Sequence, residues 1–340
     1  MPEFLLGLPH LADGPLIAAA RRLRAPLLLS ANAFSIWQPD PVGIRDWTGF
    51  DTRSLRRLAG LDAALDSAGF VAMARYGFYP WPVSDYIALA AAASWRWFSA
   101  MDLCVEPQIA RDEAEVLDRI AGTVRLYGEC LRMAGDRGIA DRLVPVVQGW
   151  RPDHYLRCLD RLPDIGHVPL LGVGSVCRRQ TGGPDGVLRV VDTLDRALGD
   201  APARLHLYGV KSEAMHALRE HPRVASVDSQ AYGQTARRAA FAAGHSKTDA
   251  FLARHMVAFQ RRQRALLSAP GQGAHSPFFP AALPPSPMDP IEARVAAAAD
   301  EMRTLHEDGE VAWSDLGPLA ALQWGFLDDP DDTGEAAEAA

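Results

Sequence analysis

The sequence predicts an α/β protein built on a (β/α)8, or TIM, barrel. Short apolar runs alternate with segments of helical spacing along the first 265 residues. Strands that alternate with helices indicate βαβ units and a parallel sheet, and eight such runs match the strand number of the barrel. The alternative is an open doubly wound sheet, which we disfavour because no Gly-x-Gly-x-x-Gly follows the first strand.

The elements follow one another in a regular order. The predicted strands lie in the apolar runs 3–9, 25–34, 63–70, 97–105, 143–150, 168–176, 204–210 and 224–232. Segments whose apolar residues recur with a helical period lie between most of them, at 14–24, 112–134, 152–162, 185–198 and 212–221. The apolar run 86–95 is too short to cross a bilayer and is predicted to be a buried helix.

The composition suits one large soluble body. Hydrophobic residues make up 48% of the 340 positions and charged residues 23%, which is enough for a sizeable core. The start of the chain lacks the basic segment of a signal peptide, and the four cysteines form no Cys-x-x-Cys pair. We therefore expect no disulfide framework and no zinc knuckle, and a cytoplasmic location.

Four segments are predicted along the chain. They are a catalytic barrel over 1–265, a Pro-rich linker over 266–290, a C-terminal helical extension over 291–326 and an acidic disordered tail over 327–340. The tail carries six acids and no base, so it accounts for most of the net charge of −7. The charge balance by itself does not indicate a nucleic-acid binder.

Polar residues stand where the predicted strands end. A barrel carries its chemistry on the loops after the carboxyl ends of its strands, so these side chains should converge on one mouth. An Asp after a strand can equally be the N-cap of the next helix, and a Gly there can be only a turn residue. The positions are Asp66, Asp102, Gln148, Gly149, Gly172, Gly174, Ser175, Tyr208, Gly209 and Asp228.

A series of short motifs resembles the tRNA-guanine transglycosylases over about residues 60–235. In order they are D-S-x-G-F at 66–70, an Asp-bearing strand at 97–105, V-Q-G at 147–149, G-x-G at 172–174 and L-x-L-x-G-V at 205–210, before a strand ending in an Asp. Each motif alone is weak, and their order and spacing carry the resemblance.

The resemblance implies a role for each strand-end residue. Asp228 would be the nucleophile and Asp66 the general acid and base. Asp102 and Gln148 would read the hydrogen-bonding edge of guanine. Gly172 and Gly174 would belong to the glycine strand at the other edge of the base. Phe70 and Tyr208 would be the two rings that sandwich it. The neighbouring glycines Gly149 and Gly209 would also bind the substrate.

Three departures from the family pattern favour its DNA-modifying branch. Ala68 replaces the second glycine of the D-S-G-G-F motif, the Cys-x-Cys-x-x-Cys plus His zinc subdomain is absent, and the basic run after the nucleophile reads SQAYGQTARR. The chain therefore looks most like the DpdA-like paralogues that insert 7-deazaguanine bases into DNA, often beside partner proteins. We expect a preQ0-like base as substrate, no metal and no cofactor, and no membrane association.

Several alternatives remain open at this point. The polymer could be tRNA, the enzyme could be a base-releasing N-glycosidase, or the barrel could bind nucleic acid without catalysis. A Schiff-base enzyme using Lys211 is a further rival, which would leave the strand-end aspartates unexplained. The arginines Arg178, Arg179, Arg237 and Arg238 are candidate phosphate contacts, or else ordinary surface charges.

Overall fold

A computed structural model describes residues 1–39, 45–177 and 179–268. All eight predicted strand runs contain a strand, and a hairpin adds two more. The strands are β1 (Glu3–Gly7), β2 (Leu27–Ser30), β3 (Ser35–Pro39), β4 (Arg45–Phe50), β5 (Ala63–Asp66), β6 (Phe98–Ser99), β7 (Leu143–Val144), β8 (Val146–Val147), β9 (Leu170–Val173), β10 (Arg204–Leu207) and β11 (Val224–Ser229).

The central sheet closes into a parallel barrel, which confirms the predicted fold class. Its strand order is β7-β6-β5-β2-β1-β11-β10-β9-β8. The two ends of this order, β7 and β8, are separated only by Pro145. The Pro145 carbonyl accepts a hydrogen bond of 2.8 Å from the Gly172 amide, so the interrupted strand joins both sides. Counted as one strand, it makes a ring of eight, which rules out the open doubly wound sheet.

Helices alternate with most of the strands along the chain. They are α1 (Pro15–Leu23), α2 (Gly69–Val71), α3 (Val83–Ala91), α4 (Glu113–Asp136), α5 (Pro152–Leu159), α6 (Val187–Leu198), α7 (Ser212–Leu218), α8 (Tyr232–Ala242) and α9 (Asp249–Ser268). The predicted helical segments correspond to α1 and α3–α7. In α6 the buried residues recur at the spacing of one helical face, at Val187, Val190, Val191, Leu194 and Leu198.

The barrel strands are buried almost throughout. In β1 every residue after Glu3 is buried, and in β5 the first three are. A parallel strand is covered on one face by the barrel interior and on the other by helices, so it reads as a continuous apolar run. This is why the strands could be recognised from the sequence.

The β3–β4 hairpin is an addition that the sequence analysis did not predict. It follows β2 and pairs antiparallel. Aromatic rings join it to the loop after α2: Trp37 lies 4.7 Å from Tyr76, and Trp47 lies 6.1 Å from Trp81, between ring centroids. These contacts fix the hairpin beside the segment that leads from β5 to α3.

The last described helix, α9, packs against α1 and α7. Phe259 contacts Phe4 of β1 at 5.9 Å between ring centroids, and Gln263 donates a 2.8 Å hydrogen bond to Ser212. It therefore takes the place of the final barrel helix, and it runs past residue 265, where the sequence analysis placed the end of the barrel. The linker, helical extension and acidic tail predicted beyond residue 268 lie outside the described residues.

Residues 233–246, which hold most of α8, belong to a unit separate from the barrel. Within that unit the chain leaves the helix through a turn in which the His245 amide donates to the Ala240 carbonyl at 3.0 Å. In the described parts of the chain, every helix is too short or too polar to cross a membrane.

Candidate active site

Three carboxylates and an amide meet at the carboxyl ends of the barrel strands. Asp66 ends β5, Asp102 follows β6, Gln148 follows β8 and Asp228 lies near the end of β11. The charges of Asp102 and Asp228 both raise the pKa of Asp66, as expected of carboxylates at one end of a barrel. We call Asp66, Asp102, Gln148 and Asp228, together with Tyr208, the strand-end cluster.

Asp102 is held by several hydrogen bonds at once. Its Oδ1 accepts from the Ser67 hydroxyl at 2.9 Å, and its Oδ2 accepts from the Gln148 side-chain amide. The Tyr79 hydroxyl donates to the Asp102 carbonyl at 2.9 Å and accepts from the Asp102 amide at 3.2 Å. Burial raises the pKa of Asp102 to about 6, and the bonds from Ser67 and Gln148 oppose that rise because they favour the ionised form.

The orientation of the Gln148 amide is fixed from both ends. Its nitrogen donates to Asp102, and its oxygen accepts a 2.7 Å bond from the Ser175 hydroxyl. Ser175 has a left-handed backbone with φ 52° and also accepts from the Val105 amide at 2.7 Å. A Cβ on Gly174 would collide with the Gln148 nitrogen, so any larger residue there would displace the amide.

Asp66 has the most strongly shifted carboxyl group of the cluster. Burial, then the charge of Asp102, raises its pKa from 3.8 to about 8, and the Asp228 charge adds to the rise. The Ala68 amide donates to Asp66 Oδ2 at 3.0 Å, which acts in the opposite direction. A carboxyl group of this kind is protonated at neutral pH and can act as an acid.

The structure explains why the residues that follow Asp66 are small. Ala68 has φ 67°, a left-handed conformation at the position where the related family has glycine. A Cβ on Gly69 would lie 2.7 Å from Asp102 Oδ1 and 2.9 Å from the Tyr79 hydroxyl. The side chains are small here because α2 begins directly against Asp102.

Asp228 is buried, and two nitrogen atoms lie close to one of its oxygens. The Gly209 amide donates to Asp228 Oδ1 at 2.9 Å, and His206 Nε2 lies 3.4 Å from the same oxygen. Gly209 has φ 67°, and a Cβ there would also lie 2.7 Å from Cys177 Cβ. The glycine therefore allows both the turn and the amide contact with the carboxylate.

Tyr208 lies inside the barrel mouth against the glycine strand. A Cβ on Gly172 would lie 2.8 Å from the Tyr208 ring. Burial raises the pKa of Tyr208 well above its ordinary value, and the charges of Asp66, Asp102 and Asp228 add to that rise. Phe70, the other predicted sandwich residue, lies in α2 and is partly buried.

Gly149 contributes close packing. A Cβ there would lie 2.7 Å from His154 Cβ and 2.9 Å from the Tyr155 amide nitrogen. The glycine thus lets the loop after β8 approach the start of α5, and it sets the position of the neighbouring Gln148.

Arg179 is buried, with 4% of its surface exposed. Its guanidinium donates to the carbonyls of Ser175, Asp185 and Gly149 at 2.7, 2.6 and 2.9 Å, and it lies 4.2 Å from the Trp150 ring. It ties the loops after β8 and β9 together, so we do not include it among surface groups that would contact phosphates.

The other arginines and the rival lysine lie elsewhere. Arg178 is outside the described residues, and Arg237 and Arg238 belong to α8 in the unit 233–246. Lys211 is exposed directly before α7, and no contact described here favours the Schiff-base alternative. In the described ranges, no group of three or more His, Cys, Asp and Glu side chains is arranged to hold a metal ion.

Sequence reasoning missed two residues that the structure adds to the cluster, His206 and Tyr79, and it named Ser175 as a strand-end residue without giving it a role. His206 had a usable signal, because it is two positions before Tyr208 along the same extended segment. Tyr79 had none, since it comes from an irregular loop between α2 and α3.

The fold and the strand-end cluster together define an α/β-barrel protein with a carboxylate-lined site at the carboxyl ends of its strands. The sequence model of the family described as DpdA, DeoxyPurine in DNA protein A, matches residues 50–275. The chain belongs to this family of DNA 7-deazaguanine transglycosylases, which is related to the tRNA-guanine transglycosylases. No curated protein matches the chain.

Proposed function

We propose that this protein exchanges guanine in DNA for a 7-deazaguanine base, of the preQ0 type, through a covalent intermediate on Asp228. The observation that carries the proposal is that two carboxyl groups, Asp66 and Asp228, interact in one site. The pKa of Asp66 is raised to about 8, partly by the charge of Asp228. Two interacting acids in one site supply an acid and a nucleophile.

In the first half of the reaction, an oxygen of the Asp228 carboxylate attacks C1′ of the target nucleotide. The C1′–N9 bond breaks, its electron pair goes to guanine, and protonated Asp66 supplies a proton to the departing base. In the second half, the Asp66 carboxylate removes a proton from the incoming base. The nitrogen of that base forms a new bond to C1′, and the Asp228 carboxylate leaves. A covalent intermediate splits one difficult displacement into two easier ones.

Asp102 and Gln148 are suited to recognise the base. The carboxylate only accepts hydrogen bonds, and the amide both donates and accepts. Guanine and a 7-deazaguanine share the amino and carbonyl groups that such a pair reads. The two side chains hydrogen-bond to each other, so a base that binds between them would take over part of that bonding.

DNA is the polymer we propose because the chain belongs to the DNA-acting family and its sequence lacks the zinc-ligand motif of the tRNA enzymes. A base inside a duplex is out of reach of a buried site. The target nucleotide must therefore be flipped out or already unpaired, a step in which partner proteins of a DNA-modification system could assist.

The test is incorporation of a labelled 7-deazaguanine into DNA and tRNA, run in parallel and analysed by nucleoside mass spectrometry. We expect incorporation into DNA with wild-type protein and none with Asp228→Asn, whose amide is a poor nucleophile. Asp192→Asn, which changes an exposed carboxylate on α6, is the matched control and should retain activity.

Each alternative has a distinct result. Release of guanine without incorporation would show an N-glycosidase, and incorporation only into tRNA would show the other polymer. DNA binding with neither release nor incorporation, in the presence of candidate partner proteins, would show a non-catalytic barrel. Asp228→Asn exchanging at the wild-type rate would refute Asp228 as nucleophile.

A further inference from the structure

His206 is a fully buried polar residue inside the barrel. It lies in β10 with 0% of its surface exposed. Its ring centroid is 4.9 Å from that of Trp97 and 4.6 Å from that of Tyr208, and both pairs meet edge to face. The imidazole is therefore held in one place and has little freedom to turn.

The two ring nitrogens face two groups of β11. Nδ1 lies 2.8 Å from the Ser226 hydroxyl, and Nε2 lies 3.4 Å from Asp228 Oδ1. Nε2 is buried and makes no well-formed hydrogen bond with any described residue. An ionised carboxylate only accepts, whereas a hydroxyl can donate. The consistent arrangement has Ser226 donating to Nδ1 and the ring hydrogen on Nε2, the nitrogen that lies nearer to Asp228.

Asp228 Oδ1 thus faces two donors, the Gly209 amide at 2.9 Å and His206 Nε2. Its other oxygen, Oδ2, has neither of these contacts. Donors on one oxygen fix the plane of a carboxylate and leave the second oxygen available for bond formation. They also stabilise the charge that returns to the carboxylate when it leaves C1′.

We propose that His206 is a positioning residue for Asp228, which orients the carboxylate so that Oδ2 attacks C1′. This inference rests on the proposed role of Asp228 as the nucleophile. The Nε2–Oδ1 distance of 3.4 Å is short enough for a hydrogen bond to form when the groups tighten around a bound substrate.

The competing explanation is that His206 only fills space between Trp97 and Tyr208. Two substitutions of similar size separate the explanations. His206→Gln keeps an N–H group near the position of Nε2, whereas His206→Asn keeps a polar group near Nδ1 but is too short to reach Asp228. Ser226→Ala removes only the hydroxyl that orients the ring.

Exchange kinetics supply the first readout. We expect kcat to fall about tenfold to a hundredfold in His206→Asn, as misplacement of a reacting group costs, with KM for the incoming base unchanged. His206→Gln should recover most of the loss, and Ser226→Ala should give a smaller loss. Equal kcat in the Asn and Gln variants, or a loss seen mainly in KM, would overturn the proposal.

A second readout does not depend on activity, so it separates failure of this inference from failure of the proposed function. Nitrogen-15 NMR of the histidine side chains should show a hydrogen on Nε2 of His206, assigned by its absence in His206→Gln. The Nε2 resonance should shift in Asp228→Asn. A hydrogen on Nδ1 alone, or an Nε2 resonance that does not shift in Asp228→Asn, would refute the contact between His206 and Asp228. Either result would do so even if wild-type protein exchanges bases.

Discussion

Replacing Asp66 with Asn should change how the stability of the protein depends on pH. The pKa of Asp66 is about 8 in the folded protein, against an ordinary value of 3.8. Between these values the folded state holds a proton that the unfolded state has lost. The wild-type protein therefore loses stability as the pH rises from about 4 to about 8. The stabilisation that comes from the proton on Asp66 is fully present only below about pH 4.

The size of the effect follows from the interval between the two pKa values. It spans about four pH units, and each corresponds to about 1.36 kcal/mol, so the upper limit is about 6 kcal/mol. Asp66 keeps partial contact with solvent, which screens its charge and lowers the realistic figure to about 3 kcal/mol. Asn carries no charge at any of these pH values and so loses none of this stability.

The assay is urea unfolding followed by tryptophan fluorescence, from pH 4.5 to pH 9. The free energy of unfolding of Asp66→Asn, minus that of the wild type, should rise by about 3 kcal/mol across this range. Asp118→Asn, an exposed carboxylate on α4, is the control and should give a difference independent of pH. A flat difference for Asp66→Asn as well would refute the raised pKa and with it the role of Asp66 as an acid at neutral pH.

Three further variants test the neighbouring contacts. Gly174→Ala should displace the Gln148 amide, because the new Cβ would lie 2.1 Å from its nitrogen, and KM for the base should rise at least about tenfold, the equivalent of one lost hydrogen bond. Asp102→Asn should relax base selection, since it replaces an acceptor with a mixed donor and acceptor; competition between labelled guanine and adenine measures this. Tyr79→Phe should lower the free energy of unfolding by about 1–2 kcal/mol, measured by urea unfolding, because the Asp102 backbone loses both hydrogen bonds to the hydroxyl.

The barrel was predictable because its strands are buried on both faces. A continuous apolar run followed by an amphipathic helix is a local pattern, and it repeats for most of the barrel strands. The β3–β4 hairpin was not predicted, because its position depends on contacts with aromatic rings of another segment, such as Tyr76 and Trp81. The helix α9 was missed for a related reason, because its place is set by packing against α1 and α7.

The positions of the candidate site residues were also predictable, since parallel strands place their carboxyl ends at one mouth. Asp66, Asp102, Gln148 and Asp228 could be named from where each strand ends. Their roles remain proposals. The sequence could not show that Arg179 is buried among loop carbonyls, because the folds of two separate loops decide that arrangement.

The sequence by itself determined the order of strands and helices, and which polar side chains stand at the strand ends. These follow from hydrophobic period and strand boundaries, which are local properties of the chain. Only the tertiary structure decided the electrostatic differences within the cluster and the direction of each hydrogen bond. The effect of the Asp228 charge on the pKa of Asp66 depends on a distance between strands that are far apart in the chain, and closure of the barrel fixes that distance. The approach of His206 to Asp228 depends on the register in which β10 pairs with β11.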